Sequence, residues 1–373
     1  MAALAVAMGI GRFAFTPILP MMQADLGVSV AAGGWLASAN YFGYLLGALS
    51  AMAVRIPAAA AIRIGLALIG VVTVAMALTS HFVLWIGLRA LAGVASAWVL
   101  VFASSWCLER LAPLGRPLLP SAVFAGVGVG IAIAGGACVV LMQQHARSGA
   151  AWGLLGVLAL VVTALTWPVF GGAAAAPSER RRVTGDRIWN ADRMRLVLCY
   201  GTFGFGYIVP ATFIPVMARE IVRDPVVFGW AWPVFGIAAA TSTFAAALLG
   251  RRLRNRRLWS LSHVLMAIGV GLPVVCPGIA GIIGAALFVG GTFMVATMTG
   301  MQEARLVGAG RATVLMAAMT AAFATGQIVG PLAVSYLARA GGGFAEPLLA
   351  ACALLLVSAG TLFWSSRETE ART

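Results

Sequence analysis

Residues 9–22, GIGRFAFTPILPMM, place the charged guanidinium of Arg12 inside an otherwise apolar segment. As a helix, residues 1–22 would rise about 33 Å, enough to cross a bilayer with Arg12 near mid-depth. A charge at that depth costs at least about 2.5–3.5 kcal/mol, so it indicates a function by default. Two glycines before the arginine and two prolines after it also break the helix, which a lipid-facing span does not need. The stretch therefore predicts a broken membrane span with a functional arginine.

The rest of the chain has the composition of a multi-pass membrane protein. Of 373 residues, 61% are hydrophobic and 10% are charged, and apolar runs of spanning length recur from end to end. The net charge of +14 comes from arginines in short clusters between these runs. That pattern indicates membrane topology and argues against a nucleic-acid partner. The five cysteines stand singly without metal-ligand spacing, so we expect free thiols and no metal or cofactor.

Twelve apolar spans are predicted, and an even number puts both termini on one side. Of the 25 arginines, nineteen fall in loops on that side, four on the other, and Arg12 and Arg89 within spans. The positive-inside rule then predicts cytoplasmic termini, in a protein of the bacterial inner membrane. The spans are roughly residues 1–22, 31–54, 60–79, 82–107, 119–142, 150–170, 194–218, 226–249, 258–276, 279–301, 312–338 and 345–365.

A constant offset of 195 positions relates the first six spans to the last six. Chance matches among abundant Gly and Ala do not easily account for the Trp, Pro, acidic and Arg matches together. We therefore predict an N-terminal half, 1–170, a cytoplasmic linker, 171–195, and a C-terminal half, 196–373, as parallel six-span repeats. The offset places Gly9, Gly11 and Pro20 on Gly204, Gly206 and Pro215, Asp25 on Glu220, Gly34 and Trp35 on Gly229 and Trp230, Gly115 and Arg116 on Gly310 and Arg311, and Gly135 on Gly330.

Several motifs resemble those of a known transporter superfamily. LWIGLRALAG, residues 84–93, is similar to the fourth-helix signature of the major facilitator superfamily, with Arg89 and Gly93 four residues apart. GVGVGIAIAGG, residues 126–136, resembles its fifth-helix motif without the usual proline, and the loop VRIPAAAAIR, residues 54–63, lacks the usual aspartate.

A narrower resemblance covers essentially the whole chain. GIGRFAFTPILPMM, SANYFGYLLGAL at 38–49, GFGYIVPATFIPVMARE at 204–220 and GQIVGPL at 326–332 are similar to the YbfB/YjiJ branch of that superfamily. The resemblance implies an all-α membrane protein with the major facilitator fold, in which twelve transmembrane helices form two six-helix repeats. It implies no particular substrate.

Glycine and proline interrupt spans one and seven at matching positions of the two halves, which is the best sequence indication of a transporter's binding site. The offset sets Arg12 opposite Tyr207, and helical spacing puts Thr16 on the same face as Arg12. Polar residues of spans two, seven and eleven complete the site. The alternative for Asn40, Tyr41 and Tyr44 is hydrogen bonding between helices, a common use of such residues in bilayers. The predicted substrate-binding residues are Arg12, Thr16, Asn40, Tyr41, Tyr44, Tyr207, Thr212 and Gln327.

All eleven acidic residues map to loops or span ends, so none lies at the depth of Arg12. The simplest partner for a buried guanidinium is then a carboxylate or similar oxyanion of the substrate. The alternative is that Arg12 donates to carbonyls freed by the prolines, or faces water. A mid-membrane carboxylate for proton coupling is also missing, and His81, His145 and His263 map to span ends, so coupling to protons stays open.

Five further residues are candidates for gating or coupling. The family resemblance implies that Arg89 belongs to the switching machinery, and the alternative is a helix-end arginine that reaches the surface. Glu109 and Glu303, at the cytoplasmic ends of spans four and ten, are predicted to form gate ion pairs with nearby arginines such as Arg116 and Arg311. The glycines of span five are interpreted as close-packing surfaces.

We expect a monomeric secondary transporter in the lipid bilayer that moves a small organic anion by alternating access. The alternative is an efflux carrier of the same superfamily for hydrophobic or aromatic drugs. An intramembrane enzyme would need a His/Asp/Glu or Ser/His cluster at one depth, which the sequence lacks, so we predict no enzyme. No nucleotide-binding loop is present either.

Overall fold

The computed structural model describes residues 1–116, 118–171, 189–221, 229–250, 252–308, 310–339 and 345–370, with the backbone alone for 212–221, 334–339 and 367–370. These residues form long helices joined by short loops. Most of the predicted linker lies outside the described residues, and α7 begins within its predicted range. The helices are α1 (Ala2–Leu26), α2 (Val30–Ala53), α3 (Ala58–Leu78), α4 (Phe82–Leu111), α5 (Leu118–Gln143), α6 (Ser148–Thr166), α7 (Ala191–Ile221), α8 (Ala231–Leu249), α9 (Asn255–Val275), α10 (Ile279–Val307), α11 (Ala312–Arg339) and α12 (Ala345–Glu370).

The twelve helices confirm the twelve predicted spans, with ends that differ by a few residues. Within the described ranges, eleven of them are long and apolar enough to cross a membrane. The remaining helix, α2, has 24 residues and sufficient length. Its mean hydropathy is lower because Asn40, Tyr41 and Tyr44 lie along it, and these are residues of the predicted site.

Helix α1 is irregular at the arginine, as its glycines and prolines predict. It consists of a short α-helical start, a π-helical stretch at Ala5–Phe13 and an α-helix at Phe15–Leu26. A π-helix uses i→i+5 hydrogen bonds and often occurs at functional sites. Pro17 has no N–H to donate to the carbonyl four residues earlier, so an α-helical ladder cannot pass through this point intact.

The packing has the two-repeat organisation that the offset predicts. Helix α1 packs on α5 as α7 packs on α11, α2 on α4 as α8 on α10, and α3 on α6 as α9 on α12. The matched glycines Gly9 and Gly204 lie at the first of these contacts, where an added Cβ would overlap the backbone of Gly130 and Phe323, respectively. Small residues thus let the backbones of both repeats touch.

A matched glycine in the loop before α5 and in the loop before α11 has the same left-handed backbone conformation. Gly115 has φ +61° and Gly310 has φ +82°, which is the left-handed region that favours glycine. These two residues are 195 positions apart and match in the offset alignment. The repeat is therefore visible in loop conformation as well as in helix packing.

The two halves meet mainly through α5 with α8 and through α2 with α11. A Cβ at Gly128 of α5 would overlap the backbone of α8 at Gly236 and Ala240, which confirms the close-packing interpretation of the glycines in span five. At the end of the bundle that carries the termini, the hydroxyls of Ser105 in α4 and Thr313 in α11 are 2.7 Å apart. The halves therefore touch at the end with the termini as well as along α5 and α8.

Candidate functional site

The Arg12 side chain is buried at the centre of the bundle, with 3% of its surface exposed. Its Nη2 donates a hydrogen bond to Oε1 of Gln327 on α11. Its Nε and Nη1 are buried and have no hydrogen-bond partner among the described residues. No carboxylate in the described part of the chain lies within ion-pair distance of the guanidinium. Arg12 is thus a buried cation whose hydrogen-bonding capacity is only partly used.

Aromatic rings surround the guanidinium. The Cζ of Arg12 lies 3.8 Å from the ring centre of Tyr44, 5.6 Å from that of Tyr41 and 5.9 Å from that of Phe323. A cation over a ring face gains about 0.5–2 kcal/mol, with the larger values at desolvated sites. These contacts stabilise the charge in part, and they leave the edge of the guanidinium with free donors.

Arg89 on α4 and Asn40 on α2 donate hydrogen bonds to backbone carbonyls in the irregular part of α1. Arg89 donates from Nη1 to the carbonyl of Gly11 and from Nη2 to that of Arg12, both at 3.4 Å. Asn40 Nδ2 donates to the carbonyls of Gly11, at 3.4 Å, and Arg89, at 3.0 Å. The alternative predicted from the sequence was that Arg12 donates to backbone carbonyls of this segment. In the structure, Arg89 donates to those carbonyls, and Arg12 donates to Gln327. Arg89 is 3% exposed, so the alternative of a surface-reaching arginine is wrong.

Other polar atoms near Arg12 are also unpaired. Gln327 Nε2 and Asn40 Oδ1 are buried without a partner among the described residues. Buried polar atoms are satisfied in the great majority of cases, and each exception calls for an explanation. Two guanidinium nitrogens and one amide nitrogen with unused N–H groups in one place form a set of donors that suits an oxyanion.

Tyr207 is the residue that matches Arg12 in the offset alignment. It does not contact Arg12 directly, because the ring of Phe323 lies between them. It is 1% exposed and stacks on Phe293, with ring centres 4.4 Å apart and planes at 22°. It also stacks on Phe323 at 6.3 Å and 24°. Phe323 in turn lies near Arg12, so the Phe323 ring separates Tyr207 from the guanidinium. Tyr207, Phe293 and Phe323 together form an aromatic wall of the site.

A small cavity lies between the halves beside Arg12, with room for about one water molecule. Tyr44 and Phe323 border both the cavity and the guanidinium. Substrate entry therefore requires the halves to move apart. The cavity is lined by Met8, Tyr44, Leu100, Val127, Tyr200, Phe293, Met294, Thr297 and Phe323.

The structure brings together five of the eight predicted binding residues: Arg12, Asn40, Tyr41, Tyr44 and Gln327. It does not bring Thr16 to them, because Thr16 is exposed. The π-helical stretch changes the residues per turn just before this point, so the 3–4 spacing used for the prediction does not carry across it. The side chain of Thr212 lies outside the described residues.

The candidate gate residues have different partners from those expected. Glu303 is 7% exposed and accepts from Nε of Arg256 at 2.6 Å, so its partner is Arg256 and not Arg311. Arg256 also grips Asp192 with both Nη atoms, at 2.7 and 2.6 Å. These ion pairs join α7, α9 and α10. A helical sequence does not reveal which distant arginine faces a carboxylate, because that depends on helix rotation.

The other predicted gate residues lie at the surface. Glu109, Arg116 and Arg311 are all exposed. In the described part of the chain, Glu109 and Arg116 do not form an ion pair with each other. Any role of these three residues in gating stays a prediction.

His263 is not at a span end, as the sequence interpretation had it. It is fully buried eight residues into α9. Its Nε2 accepts from Trp259 Nε1 at 2.9 Å, and its Nδ1 lies 3.1 Å from Ser358 Oγ. Since Nε2 acts as an acceptor, the imidazole is neutral in this arrangement. The predicted limits of this span, 258–276, agree with α9 to within a few residues, but His263 lies deeper in the bundle than those limits suggested.

Phe293 and Phe323 are site residues that the sequence interpretation missed. Phe323 precedes Gln327 by four positions on α11, so helical spacing alone would have placed both on one face. Phe293 carries no such signal, because nothing in its local sequence separates a cavity-lining phenylalanine from a lipid-facing one. The carbonyl contacts of Arg89 were also missed, since they depend on the irregular backbone of α1.

The fold, with two six-helix repeats meeting around a central polar site, defines a transporter of the major facilitator superfamily. The sequence model of the family described as "Uncharacterised MFS-type transporter YbfB" matches residues 4–362. The chain therefore belongs to that family, whose members are transporters and not enzymes. It is a multi-pass membrane protein with a small-molecule substrate.

A solved structure supports the same fold. The chain is similar to the human organic anion transporter MFSD10 (TETRAN), with a TM-score of 0.71 over 96% of this chain and 98% of that one. The identity is 14%, so the similarity concerns the fold alone. A search of curated protein sequences gave no match.

Proposed function

We propose that this transporter moves a small organic anion, most simply a carboxylate, by alternating access, and that Arg12 binds the anion. The observation that carries the proposal is the buried guanidinium with unpartnered Nε and Nη1 and a neutral amide as its hydrogen-bond partner. A buried cation without a counter-ion is costly, and an anionic substrate supplies the missing charge. The planar fork of arginine matches the two oxygens of a carboxylate.

The position of Arg12 and Gln327 supports the alternating-access part of the proposal. Arg12 belongs to α1 and Gln327 to α11, so their hydrogen bond crosses from one half to the other. A substrate oxygen that takes the place of Oε1 on the guanidinium breaks this bond and changes the contact between halves. Such differential contact is what a ligand needs to shift a conformational equilibrium.

The membrane orientation belongs to the proposal as well. Nineteen of the 25 arginines fall in predicted loops on the side of the termini, which supports cytoplasmic termini in a bacterial inner membrane. The two halves of a single chain enclose one central site, so we propose that the monomer is functional.

The test compares Arg12→Lys and Arg12→Gln with the wild-type chain in binding and proteoliposome uptake of a panel of carboxylates. Lysine keeps the charge without the fork, and glutamine keeps some donors without the charge. We expect both to bind the anion roughly ten- to hundredfold more weakly, as for the loss of a charged hydrogen bond. Arg63→Gln is the matched control, because Arg63 donates to the carbonyl of Trp167, away from the cavity.

Wild-type affinity for an identified anion in Arg12→Gln would overturn the proposal. If that variant also kept binding of neutral hydrophobic compounds, drug efflux would become the better reading. Size-exclusion profiles of all variants check that each is folded.

A further inference from the structure

The cavity beside Arg12 has a polar end and an apolar body. Tyr44 and Phe323 line the cavity, and their ring centres lie 3.8 and 5.9 Å from the Cζ of Arg12. The cation therefore lies behind these two rings, at one end of the space, and a substrate carboxylate reaches it once the halves move apart. Tyr200, Phe293 and Met294 form walls away from that end.

These walls offer little to a hydroxylated substrate. Of the nine lining residues, four are aliphatic or methionine, two are phenylalanines and two are tyrosines, so the hydroxyls of Tyr44 and Tyr200 are polar groups here. The ninth is Thr297, whose hydroxyl donates to the carbonyl of Phe293 in its own helix at 3.0 Å. A sugar acid or hydroxy acid would bury hydroxyls without enough partners, which costs free energy.

Among the described residues, no cation lines the cavity itself, and Arg12 is the one that contacts its lining rings. The other central cation, Arg89, donates from both Nη atoms to carbonyls of α1, and its Cζ lies 4.7 Å from the ring centre of Phe15. It is held by backbone carbonyls of α1, and it does not line the cavity. A second carboxylate on the substrate would be desolvated without a counter-charge, and that penalty is large.

The apolar wall presents flat surfaces. Phe293 and Phe323 both lie nearly parallel to Tyr207, with interplanar angles of 22° and 24°. Aromatic rings prefer offset-stacked or edge-to-face contacts with other rings, and Met8 and Met294 add polarizable sulfur contacts. A planar ring gains more from such walls than a puckered ring of the same size.

We propose that the substrate is a planar aromatic monocarboxylate, with its carboxylate on Arg12 and Gln327 Nε2 and its ring between Tyr44, Phe293 and Phe323. This inference rests on the proposed function. It adds that the anion carries a single negative charge on a flat, apolar ring. The binding site accepts one negative charge and an apolar plane. Dicarboxylates and sugar acids are excluded by the walls and by the single cation.

The experiment measures binding to the detergent-solubilised full chain by calorimetry near neutral pH, with matched probes. Benzoate, 4-hydroxybenzoate and 2-naphthoate are planar monoanions, and cyclohexanecarboxylate has the same charge on a puckered ring. Benzamide has the ring without the charge, terephthalate adds a second charge, and gluconate adds hydroxyls. We expect at least one of the planar monoanions to bind, its puckered analogue to bind roughly two- to tenfold more weakly, and benzamide, terephthalate and gluconate to bind hardly at all.

Two variants separate the parts of the argument. Phe293→Leu keeps an apolar wall without the ring and should reduce the preference for planar over puckered monoanions while anion binding persists. Arg12→Gln should weaken all carboxylates together. Equal affinity for benzoate and cyclohexanecarboxylate, or no binding of any of the three planar monoanions, would overturn the inference.

The failure of this inference differs from the failure of the proposed function. If gluconate or a dicarboxylate binds best and loses its affinity in Arg12→Gln, the anion-transport proposal stands and the aromatic assignment falls. If carboxylate binding does not depend on Arg12, both fall.

Discussion

The hydroxyl oxygens of Ser105 and Thr313 lie 2.7 Å apart, and their hydrogen bond joins α4 of the first half to α11 of the second at the end with the termini. If the halves rock about the central site, these two residues must separate each time that end opens. The pair is therefore a direct probe of the movement, since side chains this close can carry a disulfide after replacement by cysteine.

We predict that Ser105→Cys with Thr313→Cys, in a chain without the five native cysteines, forms a disulfide that stops transport on oxidation. Reduction should restore transport, because the bond only prevents the opening of one end. The matched control is Ser260→Cys with Ala359→Cys, which joins α9 to α12 within one half, where Ser260 Oγ donates to the Ala359 carbonyl at 2.7 Å. Transport that continues with the first pair fully cross-linked would contradict the rocking movement.

Gly43→Ala should lower the thermal stability of the solubilised protein. A Cβ at Gly43 would overlap the carbonyl of Ala90, a backbone group that cannot rotate away, so α2 and α4 must separate. Overpacking of this kind costs about 1–3 kcal/mol. Gly87→Ala is the control, because a Cβ there meets nothing within 4 Å and alanine favours the helix by up to about 1 kcal/mol. Scanning fluorimetry of the two variants measures the difference, and equal melting temperatures would count against the close contact.

Removing one charge of the Arg256 network should destabilise the second half. Glu303→Gln leaves Arg256, which is 5% exposed, with only Asp192 as an anionic partner in the described residues. Breaking a buried pair from one side costs about 3–5 kcal/mol when the charge left behind has no other partner. Arg256 keeps both contacts with Asp192, so we expect Glu303→Gln to unfold at a lower temperature than the wild type but to cost less than that range. The exposed Glu109→Gln is the control, and an equal melting temperature of Glu303→Gln and the wild type would show that the Glu303 contact does not stabilise the fold.

Arg89→Lys should weaken substrate binding although Arg89 does not contact the cavity. Lysine replaces the two Nη atoms by a single nitrogen on a shorter side chain, so the paired contacts with the carbonyls of Gly11 and Arg12 are weakened and the backbone that carries Arg12 is held less firmly. We expect a smaller loss of affinity than in Arg12→Gln, with the same order of preference among substrates. A changed order of preference would instead place Arg89 in contact with the substrate.

Reporter fusions at both ends of the chain test the membrane orientation. The loop arginines predict that an enzyme active only in the cytoplasm will be active at either terminus. A periplasmic signal from the C-terminus alone would require an odd number of membrane crossings, and periplasmic signals from both termini would reverse the orientation.

Much of the fold could be predicted because bilayer-spanning helices are encoded locally. Apolar length gave the spans, and the 195-residue offset gave the repeat that Gly115 and Gly310 display in their shared φ. The burial of Arg12 among Tyr41, Tyr44 and Gln327 also followed, since each lies on a span that the repeat brings to the centre. These inferences required knowing only which helix carries each residue and roughly how deep it lies. They did not require the rotation of each helix about its axis.

The rest depended on contacts that no local pattern contains. Arg89 binds the carbonyls of Gly11 and Arg12 in the irregular part of α1, and Thr16 leaves the site because the helical spacing changes there. Glu303 meets Arg256, which lies 47 positions away on another helix. The depth of His263 likewise reflects how α9 packs between its neighbours.

The π-helical stretch of α1 makes the length of this segment as important as its composition. Deleting one residue between Ala5 and Phe13 would bring the stretch closer to an α-helix and keep nearly every side chain. Each residue of an α-helix turns the chain by about 100°, so everything before the deletion would swing by about that angle relative to Phe15–Leu26. The register between the two ends of α1 therefore sets the direction in which the guanidinium points, and a shortened relative could carry the same motif with its arginine aimed elsewhere.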